Sequence, residues 1–101
     1  MSYFVTTIGL LDDKTIHGCR TVGYYNDYGK AFECCQNNYC DIFEDGYYDY
    51  AAIVAIDEGL YPSKHVQQWF KYERDEHGVY TIVEYHKNPE GLENWRPYII
   101  G

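Results

Sequence analysis

The chain has 101 residues, 46% apolar and 19% aromatic, and carries a formal net charge of −8. That length holds one hydrophobic core and excludes two, so residues 1–101 are expected to form a single domain. The charge opposes contact with nucleic acid or an anionic membrane and favours a basic protein surface.

In chain order, YFVTTIGLL (3–11) is rich in β-branched and aromatic residues and stops at Asp12-Asp13, which predicts a first strand and a turn. KTIHGCRTVGYY (14–25) is its predicted antiparallel partner, with Gly18 and Gly23 marking a bulge or a close backbone approach. Asp27 is the predicted N-cap of a helix from Tyr28 to about Glu44, stopped by Asp45-Gly46. Phe32, Cys35, Tyr39, Ile42 and Phe43 fall three or four apart and would line its buried face.

YYDYAAIVAID (47–57) has apolar residues on both alternating sets, which suits a central strand covered on both faces or covered by the helix on one. HVQQWFKYE (65–73) and GVYTIVEYH (78–86) flank the polar tip RDEHG and predict a second hairpin. NPEGLENWRPYIIG opens with a turn and ends in an apolar segment expected to add an edge strand. The fold class is α+β, in β-β-α-β-β-β order: one antiparallel or mixed sheet of about five strands with one helix packed across it.

No apolar run reaches the roughly 18 residues of a membrane-spanning helix. MSYFVTTIGLLDD lacks the basic start of a secretory leader. A cytoplasmic location follows as the expectation, with Cys19, Cys34, Cys35 and Cys40 as reduced thiols.

Motifs for catalysis are missing. Ser2 and Ser63 lie outside any strand-to-helix elbow, and the chain has no phosphate-binding glycine loop and no HExxH. Metal is not expected either: no CxxC knuckle is present, and on a helix the step from Cys35 to Cys40 would point the two thiols apart. From Asp41 onward the chain matches a calcium loop at Asp45 and Gly46 but sets Phe43 and Ala52 where oxygen ligands belong. The expectation is a non-enzymatic protein without cofactor.

Two features point to binding. Thirteen tyrosines against four Phe is an unusual ratio, because a buried Tyr hydroxyl needs a partner, so rings are expected at a cleft or an interface; the alternative is that Tyr is simply the strand aromatic of this chain. Trp69, Lys71 and Tyr72 in WFKY, Arg96 in NWRPY, and Arg20, Tyr48 and Tyr50 form a candidate set in which rings stack on a base and cations hold phosphate. The alternative reading of these residues is core packing, with cations lying over rings. Between Lys30 and Lys64, moreover, no base occurs while Glu33, Asp41, Glu44, Asp45, Asp49, Asp57 and Glu58 do. Asp41, Glu44, Asp45, Tyr47 and Asp49 are therefore a second candidate surface, one that would bind a basic protein; the alternative is a solvated acidic face.

The succession TIGLLDD, HGCRTVGYY, NNYCDIFEDGYYDYAAIVAIDEGLYP and WFKY resembles a group of small phage and prophage accessory proteins of Firmicutes, most specifically in Asn-Asn-x-Cys-Asp followed by a Tyr-rich stretch. It departs from them at NWRPYIIG and at the Cys34-Cys35 pair. The resemblance implies a counter-defence protein. Such a protein would either sequester a small nucleotide-type immune signal in an aromatic pocket, helped by homo-oligomerisation, or block a basic, nucleic-acid-binding surface of a host defence protein.

Overall fold

The computed structural model describes residues 1–96. Strands β1 (Ser2–Leu10) and β2 (Ile16–Tyr25) precede helix α1 (Tyr28–Gln36), followed by β3 (Tyr50–Ile56), β4 (Lys64–Arg74) and β5 (Tyr80–Tyr85). The strands form one sheet in the order β2-β1-β3-β4-β5, antiparallel throughout. The α+β class and the element order are as expected from the sequence. Among the described residues no helix is long and apolar enough to cross a membrane.

Local chemistry sets the turns. Asp13 accepts bonds from the Thr15 amide (3.0 Å) and hydroxyl (2.6 Å), closing the β1–β2 turn. Asp75 accepts from the His77 and Val79 amides at 2.8 and 2.9 Å, closing the β4–β5 tip. Register slips leave His17 and Val22 as extra residues in β2, each beside one of the two glycines that announced an irregularity. A third slip, at Gln67, lets Val66 and Trp69 share one face although they are three residues apart.

Asp27 caps α1 by accepting from the Lys30 amide at 3.1 Å. The helix then ends at Gln36, not near Glu44 as expected. Asn38 takes a left-handed backbone, and its side-chain oxygen accepts from the Phe43 amide at 3.1 Å; Asp41 accepts from the Asp45 amide, also at 3.1 Å. These side chains offer the backbone partners that a helix would have supplied, so the chain continues as two short 3-10 turns, Tyr39–Asp41 and Glu44–Gly46. Of the expected stripe, Cys35, Ile42 and Phe43 are buried, Phe32 packs against that core, and Tyr39 faces solvent.

Every residue of β3 is buried because the sheet is covered on both sides. On one side α1 and the turns seal Val5, Cys35, Phe43, Ala51, Ile53 and Phe70. On the other, the segment after β5 lays Leu92 and Trp95 over Ile8, Val54, Ile56 and Trp69. The expected edge strand of the tail is not formed up to Arg96, and its apolar end, YII, lies outside the described residues.

Candidate functional site

The tail does not cover its face completely. It leaves a cleft of about 480 Å³ between the β1–β2 turn, the middle of the sheet and residues 87–93. Lys14, Lys71 and Lys87 reach it from the turn, β4 and the tail, beside the rings of Tyr50 and Tyr85. Three of the eight basic residues of an acidic chain thus converge on one opening.

Strand register explains the central part. Lys71 lies directly opposite Tyr50, while Tyr85 is its diagonal neighbour, because Lys71 pairs with Val83. The Lys71 ammonium sits 5.8 Å from the Tyr85 ring centroid and 3.3 Å from a Glu73 oxygen. Burial pulls the Lys71 pKa down, but Glu73, Tyr50 and Tyr85 outweigh it, so the ammonium titrates above the ordinary lysine range. Tyr50 is nearly buried and meets Tyr85 and Trp69 edge-on, with centroids 6.1 and 6.4 Å away. Its hydroxyl is held protonated above the usual phenol range, by burial first.

The outer wall depends on one glycine. Gly91 has φ +89°, and a Cβ there would lie 2.8 Å from Lys14 Cβ and 2.9 Å from the Lys14 carbonyl oxygen. Only glycine lets the tail press on the first turn in this way. Glu93 accepts from the Gly91 amide at 3.0 and 3.1 Å and is thereby drawn below the usual carboxylate range, its own backbone amide contributing first. Glu90 is the remaining acid of the lining.

The seven residues proposed as a pocket divide between the two faces. Tyr50 and Lys71 share the cleft. Trp69 lies behind it, 2% exposed, its indole N–H donating to Asn88 Oδ1 at 3.2 Å; it is a core ring and presents no face for stacking. Tyr48 and Tyr72 belong to the core on the helix side, where Tyr72 stacks on Tyr80. Arg20 is also on that side, 3.7 Å from Glu44. Arg96 donates to the Trp95 carbonyl at 2.9 Å and borders a separate hollow of about 180 Å³. The single seven-residue pocket is corrected to the cleft built on Tyr50 and Lys71. Lys14, Tyr85 and Lys87 complete it. Tyr85 was accessible from the β4–β5 register, whereas Lys14 and Lys87 carry no sequence signal that joins them.

The acidic segment also changes in three dimensions. Arg20 reaches Glu44, and Arg74 pairs with Asp45 and donates to the Tyr72 hydroxyl at 2.8 Å. Asp41 accepts from the Asn38 side-chain amide and the Asp45 backbone amide. Asp49 is a structural tie: Oδ2 accepts from the Leu10 amide at 2.7 Å, its own amide donates to the Ile8 carbonyl and its carbonyl accepts from the Tyr72 amide. Tyr47 is exposed and meets His17 edge-on at 4.7 Å. Both arginines come from outside the base-free stretch, and folding brings them onto it.

No group of three or more His, Cys, Asp or Glu side chains placed to hold a metal occurs among the described residues. No protein-family model, curated protein or solved structure matches the chain.

Proposed function

We propose that this chain is a non-enzymatic counter-defence protein of phage or prophage origin that sequesters a small nucleotide-type signal in the Lys14–Lys71–Lys87 cleft, within the bacterial cytoplasm. The observation that carries the reading is the convergence of three lysines and two tyrosines on one opening in a chain of net charge −8. An acidic chain repels anions at long range, so a local excess of cations is needed to hold one. Lysines supply point charges for phosphate, the Tyr85 ring supplies a flat apolar surface for a base, and about 480 Å³ is within the range of small-ligand sites. A second copy packed over the open side would enclose the ligand further. The resemblance to phage accessory proteins supports the biological setting. The acidic turn supports the inhibitor reading less well, because Glu44, Asp45, Asp41 and Asp49 all have partners within the chain.

The test is native mass spectrometry of the full chain mixed with the small-molecule fraction of an extract from defence-activated bacteria, and with a panel of mono-, di- and cyclic nucleotides. A gain of a few hundred daltons per chain, lost in Lys71→Gln and Lys87→Gln, is the expected result. No adduct from either source, or an adduct indifferent to both substitutions, overturns the proposal. The same spectra read the oligomeric state.

A further inference from the structure

Another hollow, of about 240 Å³, lies on the helix side between β2 and the turn that follows α1, and its lining is of a different chemistry. Two thiols, Cys34 and Cys40, share it with the rings of Tyr24, Tyr25 and Tyr39, and no Lys, Arg or His borders it. Cys34 is nearly buried whereas Cys40 is exposed. One buried sulfur, Cys34, thus shares an open hollow with an exposed thiol, Cys40, and with Tyr25, and Cys35 follows it in α1. An apolar, cation-free hollow beside an acidic turn excludes anions. It admits small neutral molecules.

We propose that this hollow is an oxidation site, in which the Cys34 sulfur reacts with a small hydroperoxide and Cys40 converts the product to a Cys34–Cys40 disulfide. In the first step a sulfur electron pair forms an S–O bond as the O–O bond breaks. Sulfur is oxidised by two electrons, and the departing hydroxide or alkoxide takes a proton, with the Tyr25 hydroxyl as the nearby donor. In the second, the Cys40 sulfur attacks the Cys34 sulfenic acid, the S–S bond forms, the S–O bond breaks, and the oxygen leaves as water with the Cys40 proton. No reductant is needed for either step.

The surroundings support both roles. The Cys35 hydrogen bond, against the opposing effect of burial and with help from Tyr25, draws the Cys34 thiol down to about 6. Cys35, which keeps the proton and is fully buried, is pushed well above the ordinary thiol range, and burial raises Cys19 too. The groups facing Cys34 are Tyr25 from β2, Cys35 from its own helix, and Tyr39 and Cys40 from the turn; Tyr39 donates to Glu33 of α1. The turn carrying Cys40 has positive φ at Asn38, Cys40, Asp41, Glu44 and Asp45. Left-handed backbone is disfavoured for residues with a Cβ, so this segment holds strain that a rearrangement toward a bridge can release. The proposal is independent of the lysine cleft, which lies on the opposite face.

The experiment treats the reduced full chain with a small excess of hydrogen peroxide and follows intact mass, then disulfide-mapped peptides, from pH 5 to 9. A loss of two hydrogens as a Cys34–Cys40 link is expected, with a rate half-maximal near pH 6. In Cys40→Ser the intermediate is expected to persist as a dimedone adduct at Cys34. A link through Cys19, first oxidation at Cys40, covalent dimers, or a rate that rises only near the pH of an ordinary thiol (about 8.5) overturns the proposal. The wild-type map and pH profile decide even where a cysteine variant fails to fold.

Discussion

The two faces of the sheet are covered by different means, and the difference decides which face keeps an opening. On the helix side α1 and its strained turn close over Phe43, Phe70 and Tyr72, with Phe32 and Phe70 edge-on at 5.1 Å. On the other side an irregular tail anchors through Leu92 and Trp95 but leaves a gap, into which the lysines point. A helix presents a continuous apolar stripe and can seal a sheet. A segment without repeating structure seals only where its few large side chains land, so the tail face keeps an opening.

The comparison breaks most visibly at Phe43. Removing this fully buried ring should destabilise the protein by roughly 3–5 kcal/mol, seen as a lower urea midpoint, because the seal over Phe70 and Tyr72 goes with it. A loss under about 1 kcal/mol would mean that the turn is not part of the core. Next in size is Gly91→Ala. A Cβ against the Lys14 backbone at a positive φ should cost about 1–3 kcal/mol and lift the tail, changing Trp fluorescence while amide exchange in α1 stays slow. Asp49→Ala removes the bond to the Leu10 amide, and its expected loss is about 1.5–3 kcal/mol by thermal unfolding. An effect within 0.5 kcal/mol would return Asp49 to the set of free surface acids.

Smaller effects sharpen the functional half of the contrast. Lys71→Gln and Lys87→Gln should each weaken an anionic ligand about tenfold (~1.4 kcal/mol) by titration calorimetry, with little change in unfolding midpoint. Arg20→Gln, on the other face, should leave binding unchanged. The smallest effect concerns pH. Glu93 titrates lower in the folded chain than in the unfolded one, so its contribution is present above the unfolded glutamate pKa and fades as pH falls through the folded value. Amide exchange at Gly91 should therefore quicken on acidification, and Glu93→Gln should remove that dependence.

How much was legible in the sequence follows from the range of the interactions involved. Asp13, Asp27 and Asp75 act on amides two to four residues away, so the turns and the start of α1 could be read locally. The uniform apolarity of AAIVAI announced a buried central strand, and the structure shows that it is covered on both faces. The end of α1 was misread because Phe32, Cys35 and Phe43 keep a helical spacing even where Asn38 and Asp41 have diverted the backbone. Their burial is achieved by turns that share the period without the hydrogen bonds.

The site was less legible. Lys71 and Tyr50 were identified by residue type, and Tyr85 is within reach of a register argument, since hairpin pairing is set by the turn. Trp69 and Tyr72 have the same chemistry as Tyr50 in sequence; the alternation of faces sends Tyr72 to the helix side, whereas Trp69 shares the face of Tyr50 and is covered there by Trp95 and Asn88. By itself, then, the sequence determined the strands, the hairpins, the N-cap and the burial of β3, because each depends on near neighbours or on a period along one strand. The tertiary structure decided where Lys14 and Lys87 meet, which acids Arg20 and Arg74 neutralise, and that Cys34 and Cys40 share a hollow. Each of these depends on segments brought together by burial of apolar surface, a force without direction or memory of sequence distance.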